Sequence, residues 1–136
     1  MNASVKESPV SAELQVILNN QRHAFQAEGP VALATRIDRI DRCIALLVDN
    51  KEAICEAVNS DFGCRSKYVT LMTDIMTSVG SLKFVKKNLK KWMKPEKRTA
   101  FMPMNFLGAK AQVHHQPKGV IGIMTPWNVP VNMIFS

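Results

Sequence analysis

The residues with the clearest capacity for chemistry lie near the end of the chain, in Pro126-Trp127-Asn128-Val129-Pro130. Each proline fixes its own φ and restricts the residue before it, so Trp127 and Asn128 are predicted to sit on stiff backbone. A side-chain amide held in this way can stabilise an oxyanion without reorganising. The alternative is structural: Asn128 would cap the next helix, and Trp127 would pack beside it.

An apolar run leads into this segment and is predicted to be a strand. The run is Val120-Ile121-Gly122-Ile123-Met124, and it follows the turn signal Pro117-Lys118-Gly119. A continuous apolar run is typical of a strand buried on both faces, as in the parallel sheet of an α/β protein. Ligands bind beyond the carboxyl ends of such strands, where Asn128 would lie. In residues 109–116 two kinds of side chain alternate along the chain, a pattern that predicts a half-buried strand.

In the rest of the chain, apolar residues recur mostly at helical spacing. A peripheral helix is predicted from an N-cap at Ser11 to a stop at Glu28-Gly29-Pro30. A second helix starts near Leu33, pauses at Asp49-Asn50 and ends near Asp61-Phe62-Gly63. A third runs from about Lys67 to Trp92, with Gly80 marking a bend or a close packing contact. Residues 99–107 show no period and are predicted to be an extended connector.

The net charge of +7 is concentrated in residues 83–98, which hold eight basic residues and one acid. The lysines recur at helical spacing on one side, and the other side is predicted to be buried and is formed by Leu82, Val85, Leu89, Trp92 and Met93. Neither a recognition-helix pattern nor interleaved aromatic residues are present, so a solvated face is favoured over a nucleic-acid interface. A basic helical interaction module that binds an acidic partner remains the alternative function.

The cysteines and histidines do not indicate a metal site. Cys43, Cys55 and Cys64 form neither a C-x-x-C pair nor an even set, which favours reduced thiols. His114 and His115 are neighbours in a predicted strand, so their rings point to opposite faces.

The two ends of the sequence and its hydropathy suggest a fragment of a cytoplasmic protein. No stretch reaches the roughly 20 apolar residues that span a bilayer, and residues 1–9 do not resemble a signal peptide. The last residues carry no stop signal, so we expect a fragment. A truncated or frameshifted reading frame is the other explanation.

Pro117, Gly119, the predicted strand 120–124 and the segment 126–130 together resemble the aldehyde dehydrogenase superfamily, in which a glycine-bearing strand leads into Pro-Trp-Asn-x-Pro. Residues 73–95 and 107–111 are similar to coniferyl aldehyde dehydrogenases in particular. The resemblance covers nearly the whole chain after about Ala12.

The resemblance implies an α/β fold that comprises the amino-terminal helices and first strands of an aldehyde dehydrogenase, with an incomplete Rossmann-like cofactor domain. Residues 1–107 would be the amino-terminal helical region of the cofactor-binding domain. Residues 108–118 would be a strand segment of the oligomerisation region. Residues 119–136 would hold the first core strand and the Pro-Trp-Asn motif.

The resemblance also implies a function, the oxidation of an aldehyde to its carboxylic acid with NAD or NADP, in a homo-oligomer. The substrate would be coniferyl or another aromatic or long-chain aldehyde. Asn128 would stabilise the oxyanion. The cofactor contacts would be Ile123, Met124, Thr125 and Trp127. The family's catalytic cysteine and glutamate lie beyond Ser136, and no cysteine here replaces the nucleophile, so the chain alone is expected to be inactive.

Overall fold

A computed structural model describes residues 9–135 of the chain. These residues divide into two compact units, one formed by residues 9–31 and 117–122 and the other by residues 32–116 and 123–135. The described residues are mostly helical, with one small two-stranded sheet. The five predicted site residues all belong to the larger unit.

The smaller unit is built on helix α1, Pro9–Glu28. The helix begins two residues before the predicted N-cap, Ser11, which therefore lies inside the first turn. It ends as predicted at Gly29, whose φ of 64° few other residues adopt. Within this unit, a β carbon at Gly119 would lie 3.6 Å from the ring of Phe25. Most residues of α1 are exposed.

The larger unit begins with two helices, α2 (Leu33–Asp49) and α3 (Lys51–Phe62). Asn50 separates them, as predicted, with its backbone outside the helical region and its side-chain amide donating to the Leu46 carbonyl at 2.8 Å. Gly63 ends α3 at a φ of 75°, and its N–H donates to the Asn59 carbonyl at 2.7 Å. A left-handed glycine of this kind is a common helix C-terminus.

The predicted third helix is continuous but not regular. It consists of α4 (Lys67–Thr70), a π-helical segment (Leu71–Met76) and α5 (Thr77–Trp92). The prediction for Gly80 was wrong: the glycine lies in regular α-helix, and a β carbon there would meet no atom within 4 Å. The irregular turn comes earlier, in the π-helical segment, where the backbone bonds from i to i+5.

The core of the larger unit is small and is centred on Leu47, Ile75 and Leu82. These residues come from α2, the π-helical segment and α5, so the apolar stripes of the helices face each other as their 3.6-residue period predicts. Partly buried residues pack around this centre: Ile40, Cys43, Ile44, Ile54, Leu71, Val79, Val131 and Phe135. The last two bring the segment after the Pro-Trp-Asn motif onto the helical core.

The strands β1 (Glu96–Arg98) and β2 (Ala111–Val113) form an antiparallel pair in which Glu96 faces Val113. The strand predicted in residues 109–116 is therefore confirmed in a shorter form, but its predicted half-burial was wrong, because Gln112 and Val113 are exposed. The predicted extended connector 99–107 was partly wrong, because Met104–Leu107 forms a 3₁₀ turn that ends at Gly108 with a φ of 82°.

The core strand predicted at 120–124 is not formed in the structure described. The residues have no strand pairing, and Ile121 and Met124 are 67% and 99% exposed. A parallel core strand exists only when neighbouring strands take its N–H and C=O groups and cover both faces. The described residues supply no such neighbour. The coarser description, a largely helical part of an α/β protein, agrees with the structure.

Candidate functional site

The Pro-Trp-Asn motif forms an irregular loop that leads into a 3₁₀ turn at Asn132–Ile134. Trp127 is 85% exposed. Asn128 is also exposed, and its side-chain amide has no hydrogen-bond partner among residues 9–135. The residue that precedes the 3₁₀ turn is Val131, and no side chain caps it. The structural alternative, a capping asparagine beside a packed tryptophan, was therefore wrong.

The four residues predicted to touch a cofactor are largely accessible. Ile123 is 56% and Met124 99% exposed, and Thr125 is half-buried. A cleft of about 590 Å³ lies beside the loop and is lined by Val58, Asp61, Phe62, Trp127 and Pro130. Of the predicted site residues, only Trp127 lines this cleft. The end of α3 forms its other wall.

Arg65 holds the loop at Asn128. The guanidinium donates through Nη1 to the backbone carbonyl of Asn128. Through Nη2 it donates to the Thr73 hydroxyl and to Asp74 Oδ2, each at 2.8 Å. Its central carbon also lies 4.8 Å from the ring centroid of Phe62, a cation–π contact. The side chain is only 10% exposed, so these contacts fix it in one place.

Asp74 holds the same loop a few residues further on. Its side chain is fully buried, and Oδ1 accepts hydrogen bonds from the backbone N–H groups of Val131 at 3.1 Å and Asn132 at 3.3 Å. The other oxygen accepts from Arg65 and, at 2.9 Å, from the Thr73 hydroxyl. The side-chain amide of Asn132 adds a hydrogen bond to the hydroxyl of Thr77 on α5. We call Arg65 and Asp74 the loop clamp.

The loop clamp was not predicted from the sequence, although one signal was present. Thr70, Asp74 and Ser78 follow each other at intervals of four, and all three are fully buried. A polar stripe at helical spacing beside an apolar one, with an acid at its centre, predicts a buried carboxylate that needs a partner. Nothing in the spacing indicates that the partner is Arg65 or that the loop is what the carboxylate binds.

The cysteines have no feature of an activated nucleophile in the described residues. Cys55 is 3% exposed, and burial raises the pKa of its thiol, which disfavours the thiolate. Its sulfur lies 3.8 Å from the Lys67 carbonyl oxygen. Cys43 packs against the core, and Cys64 is exposed. Between residues 9 and 135, no group of three or more His, Cys, Asp or Glu side chains is arranged to hold a metal ion.

The two faces that the sequence predicted for α5 are confirmed in part: on the side expected to be buried, only Leu82 is buried, and Val85, Leu89 and Met93 are half-buried. On the basic side, Lys83, Lys87 and Lys90 are exposed. Trp92 was expected on the buried side but is 43% exposed; it packs at the helix end against Phe84, itself exposed, with ring centroids 5.9 Å apart. None of the helices within residues 9–135 is both long and apolar enough to cross a bilayer.

Comparison with known proteins identifies the family. The aldehyde dehydrogenase family matches residues 5–136 of the chain. A probable coniferyl aldehyde dehydrogenase of Caulobacter vibrioides is 45% identical over 139 residues, which cover 100% of this chain and 29% of the relative. The coniferyl aldehyde dehydrogenase of a Pseudomonas species is 45% identical over 130 residues, 95% of this chain and 26% of the relative.

A more distant relative gives the same result. A probable coniferyl aldehyde dehydrogenase of Pseudomonas aeruginosa is 35% identical over 119 residues, 88% of this chain and 25% of the relative. The chain thus spans little more than a quarter of the length of these curated relatives. Because the family match covers almost every residue, from the first helices through the Pro-Trp-Asn loop, the chain belongs to the aldehyde dehydrogenase family.

Proposed function

We propose that the chain is the amino-terminal part of an NAD(P)-dependent aldehyde dehydrogenase and contributes the oxyanion-stabilising amide of Asn128. The observation that carries this proposal is the state of that residue: its backbone carbonyl is held by Arg65, and its side-chain amide is exposed and unpaired within residues 9–135. A side-chain amide on held backbone, with no other partner in this part of the chain, is available to donate to developing negative charge.

The chemical role of Asn128 follows from how its amide would be used. When a nucleophile adds to an aldehyde carbonyl, the carbonyl oxygen becomes negative, and an N–H donor at about 2.7–3.1 Å stabilises it. Loss of one such donor raises the barrier by about 2.7–4 kcal/mol. The nucleophile and the base would come from residues outside this chain, which agrees with the buried Cys55 and with its raised pKa.

The residues predicted to contact the cofactor fit one end of a dinucleotide. Ile123 and Met124 present exposed aliphatic side chains, Trp127 an exposed indole and Thr125 a half-buried hydroxyl. Such groups can contact a ring and a ribose but carry no positive charge for a phosphate. When bound, the nicotinamide ring would supply the hydride acceptor. These four residues would shield it from water beside Asn128.

The remaining parts of the proposal rest on the relatives. Three of them carry the name coniferyl aldehyde dehydrogenase, so we propose an aromatic aldehyde, with long-chain aldehydes as the second class. We also propose that residues 119–136 enter a Rossmann-like sheet and that residues 108–118 pair between subunits. In support of the latter, β2 has a single partner strand among the described residues, and an open strand edge is a site for pairing.

The test is aldehyde-dependent reduction of NAD and NADP, measured for this chain and for the complete product of its reading frame. Coniferyl aldehyde, benzaldehyde and a long-chain aliphatic aldehyde are compared as substrates. We expect activity from the complete product and none from this chain. Activity in neither would remove the proposal and favour the basic interaction module. Activity of this chain by itself would show that the nucleophile is among its own residues.

A further inference from the structure

The loop clamp contacts the backbone at two places, at Asn128 in the Pro-Trp-Asn loop and at Val131 and Asn132 directly after it. Arg65 donates to the carbonyl of Asn128, and Asp74 accepts from the N–H groups of Val131 and Asn132. Arg65 and Asp74 also bind each other at 2.8 Å. One ion pair therefore sets two points of the loop that lie three residues apart, and a movement of either charge moves both points.

The clamp binds only the backbone of Asn128. The side-chain amide makes no hydrogen bond within residues 9–135, although the side chains of Thr73 and Asp74 nearby are hydrogen bonded. Because the backbone of Asn128 is held, only its two side-chain torsions, χ1 and χ2, remain to place the amide. Pre-organisation of this kind is what a donor needs if it is to stabilise charge only in the transition state.

Stability alone is a weak reason for this arrangement. A buried ion pair gains little over apolar residues of the same volume, because both charges lose their water. Here the guanidinium is not even fully bonded, since the Arg65 Nε atom is buried without a partner in the described part of the chain. Asp74 also lies in the π-helical segment, a rare conformation that is frequent at functional sites. These features fit a device for holding a position.

We propose that Arg65 and Asp74 are positioning residues of the aldehyde dehydrogenase reaction, which hold the amide of Asn128 where the oxyanion forms. The inference rests on the proposed function of Asn128. Neither residue touches the substrate in this proposal: both act through the loop. Their loss should lower kcat and leave KM for the aldehyde nearly unchanged, since the amide acts on charge that exists only in the transition state.

The test uses the complete product of the reading frame with Arg65→Met and Asp74→Asn, each in the wild-type and the Asn128→Ala background. We expect kcat to fall by about 10- to 100-fold in the wild-type background. In the Asn128→Ala background, the same changes should lower kcat by less than about twofold, because they act through a residue that is already removed. Asp41→Asn, at an exposed ion pair, is the matched control.

Hydrogen exchange gives a readout that does not depend on activity. The peptide 123–135 should exchange about tenfold faster or more in both clamp variants and at the wild-type rate in Asp41→Asn. If Asp74→Asn does not fold, Arg65→Lys replaces it, since lysine keeps the charge but not the planar fork.

Two results would overturn the inference. The first is an equal loss of kcat in both backgrounds, which would indicate a general structural role. The second is unchanged exchange of the peptide 123–135 in Arg65→Met and Asp74→Asn. An inactive wild-type protein whose clamp variants exchange faster would instead remove the proposed reaction and leave the clamp standing.

Discussion

Truncation of Asp74 to alanine tests the loop clamp by its effect on stability. The carboxylate is fully buried, and its partner Arg65 is 10% exposed, so Asp74→Ala leaves a nearly buried cation without its counter-ion. Breaking a buried ion pair from one side costs about 3–5 kcal/mol. The change also removes the acceptor of two backbone N–H groups, which can recover bonds from water because Val131 and Asn132 are half-buried.

The comparison variant is Asp41→Ala, which removes a carboxylate from an exposed pair. Asp41 Oδ2 lies 2.7 Å from Lys86 Nζ, with side chains 47% and 40% exposed. An exposed pair contributes only about 0–1 kcal/mol. A whole domain has about 5–15 kcal/mol of stability, so Asp74→Ala should remove a large part of it and Asp41→Ala almost none.

Urea unfolding of this chain, followed by helical circular dichroism at 25 °C, measures both free energies. We expect a lower midpoint for Asp74→Ala with an unchanged slope, since a changed slope would mean a different exposed surface. If Asp74→Ala and Asp41→Ala cost the same to within about 1 kcal/mol, the reasoning about burial is wrong.

The other predictions concern the core, a helix end and the small sheet. Leu47→Ala should cost about 2–5 kcal/mol in the same urea assay, because the side chain is 1% exposed at the centre of the core. Gly63→Ala should cost about 1–2 kcal/mol, because its φ of 75° is left-handed although no atom would clash; equal midpoints would contradict this. The hydrogen bond from His115 and, after it, the one from Arg98 lower the pKa of the Glu96 carboxyl. The Glu96 carboxylate therefore stabilises the β1–β2 pair above about pH 4.5, and this stabilisation is lost as the pH falls through the lowered pKa. Glu96→Gln should remove this acid-induced loosening, as followed by the amide shift of Val113.

The helices could be predicted from the sequence because their signals are local. The period of Ile40, Ile44 and Leu47 placed one face of α2 on the core, and Gly63 marked the end of α3. Gly80 gave a misleading signal, since a glycine in a helix need not bend it. The π-helical segment could not be predicted, because no distinctive composition marks it.

The parts that could not be predicted depend on distant pairing. The run 120–124 has the composition of a core strand, but a strand requires partners that a local pattern does not reveal. The loop clamp joins residues that are far apart along the chain: Arg65 and Asn128 are separated by 63 positions, and Asp74 and Val131 by 57. The motif indicated Asn128, and only the structure indicated how its backbone is held.

The most direct test of the role of Asn128 is kcat for aldehyde oxidation by the complete product of the reading frame, with and without Asn128→Ala. We expect a loss of about 100- to 1000-fold in the variant. Asn20→Ala, on the exposed side of α1, should leave kcat unchanged. An Asn128→Ala enzyme that keeps kcat to within about threefold of wild type would contradict the role assigned to this amide.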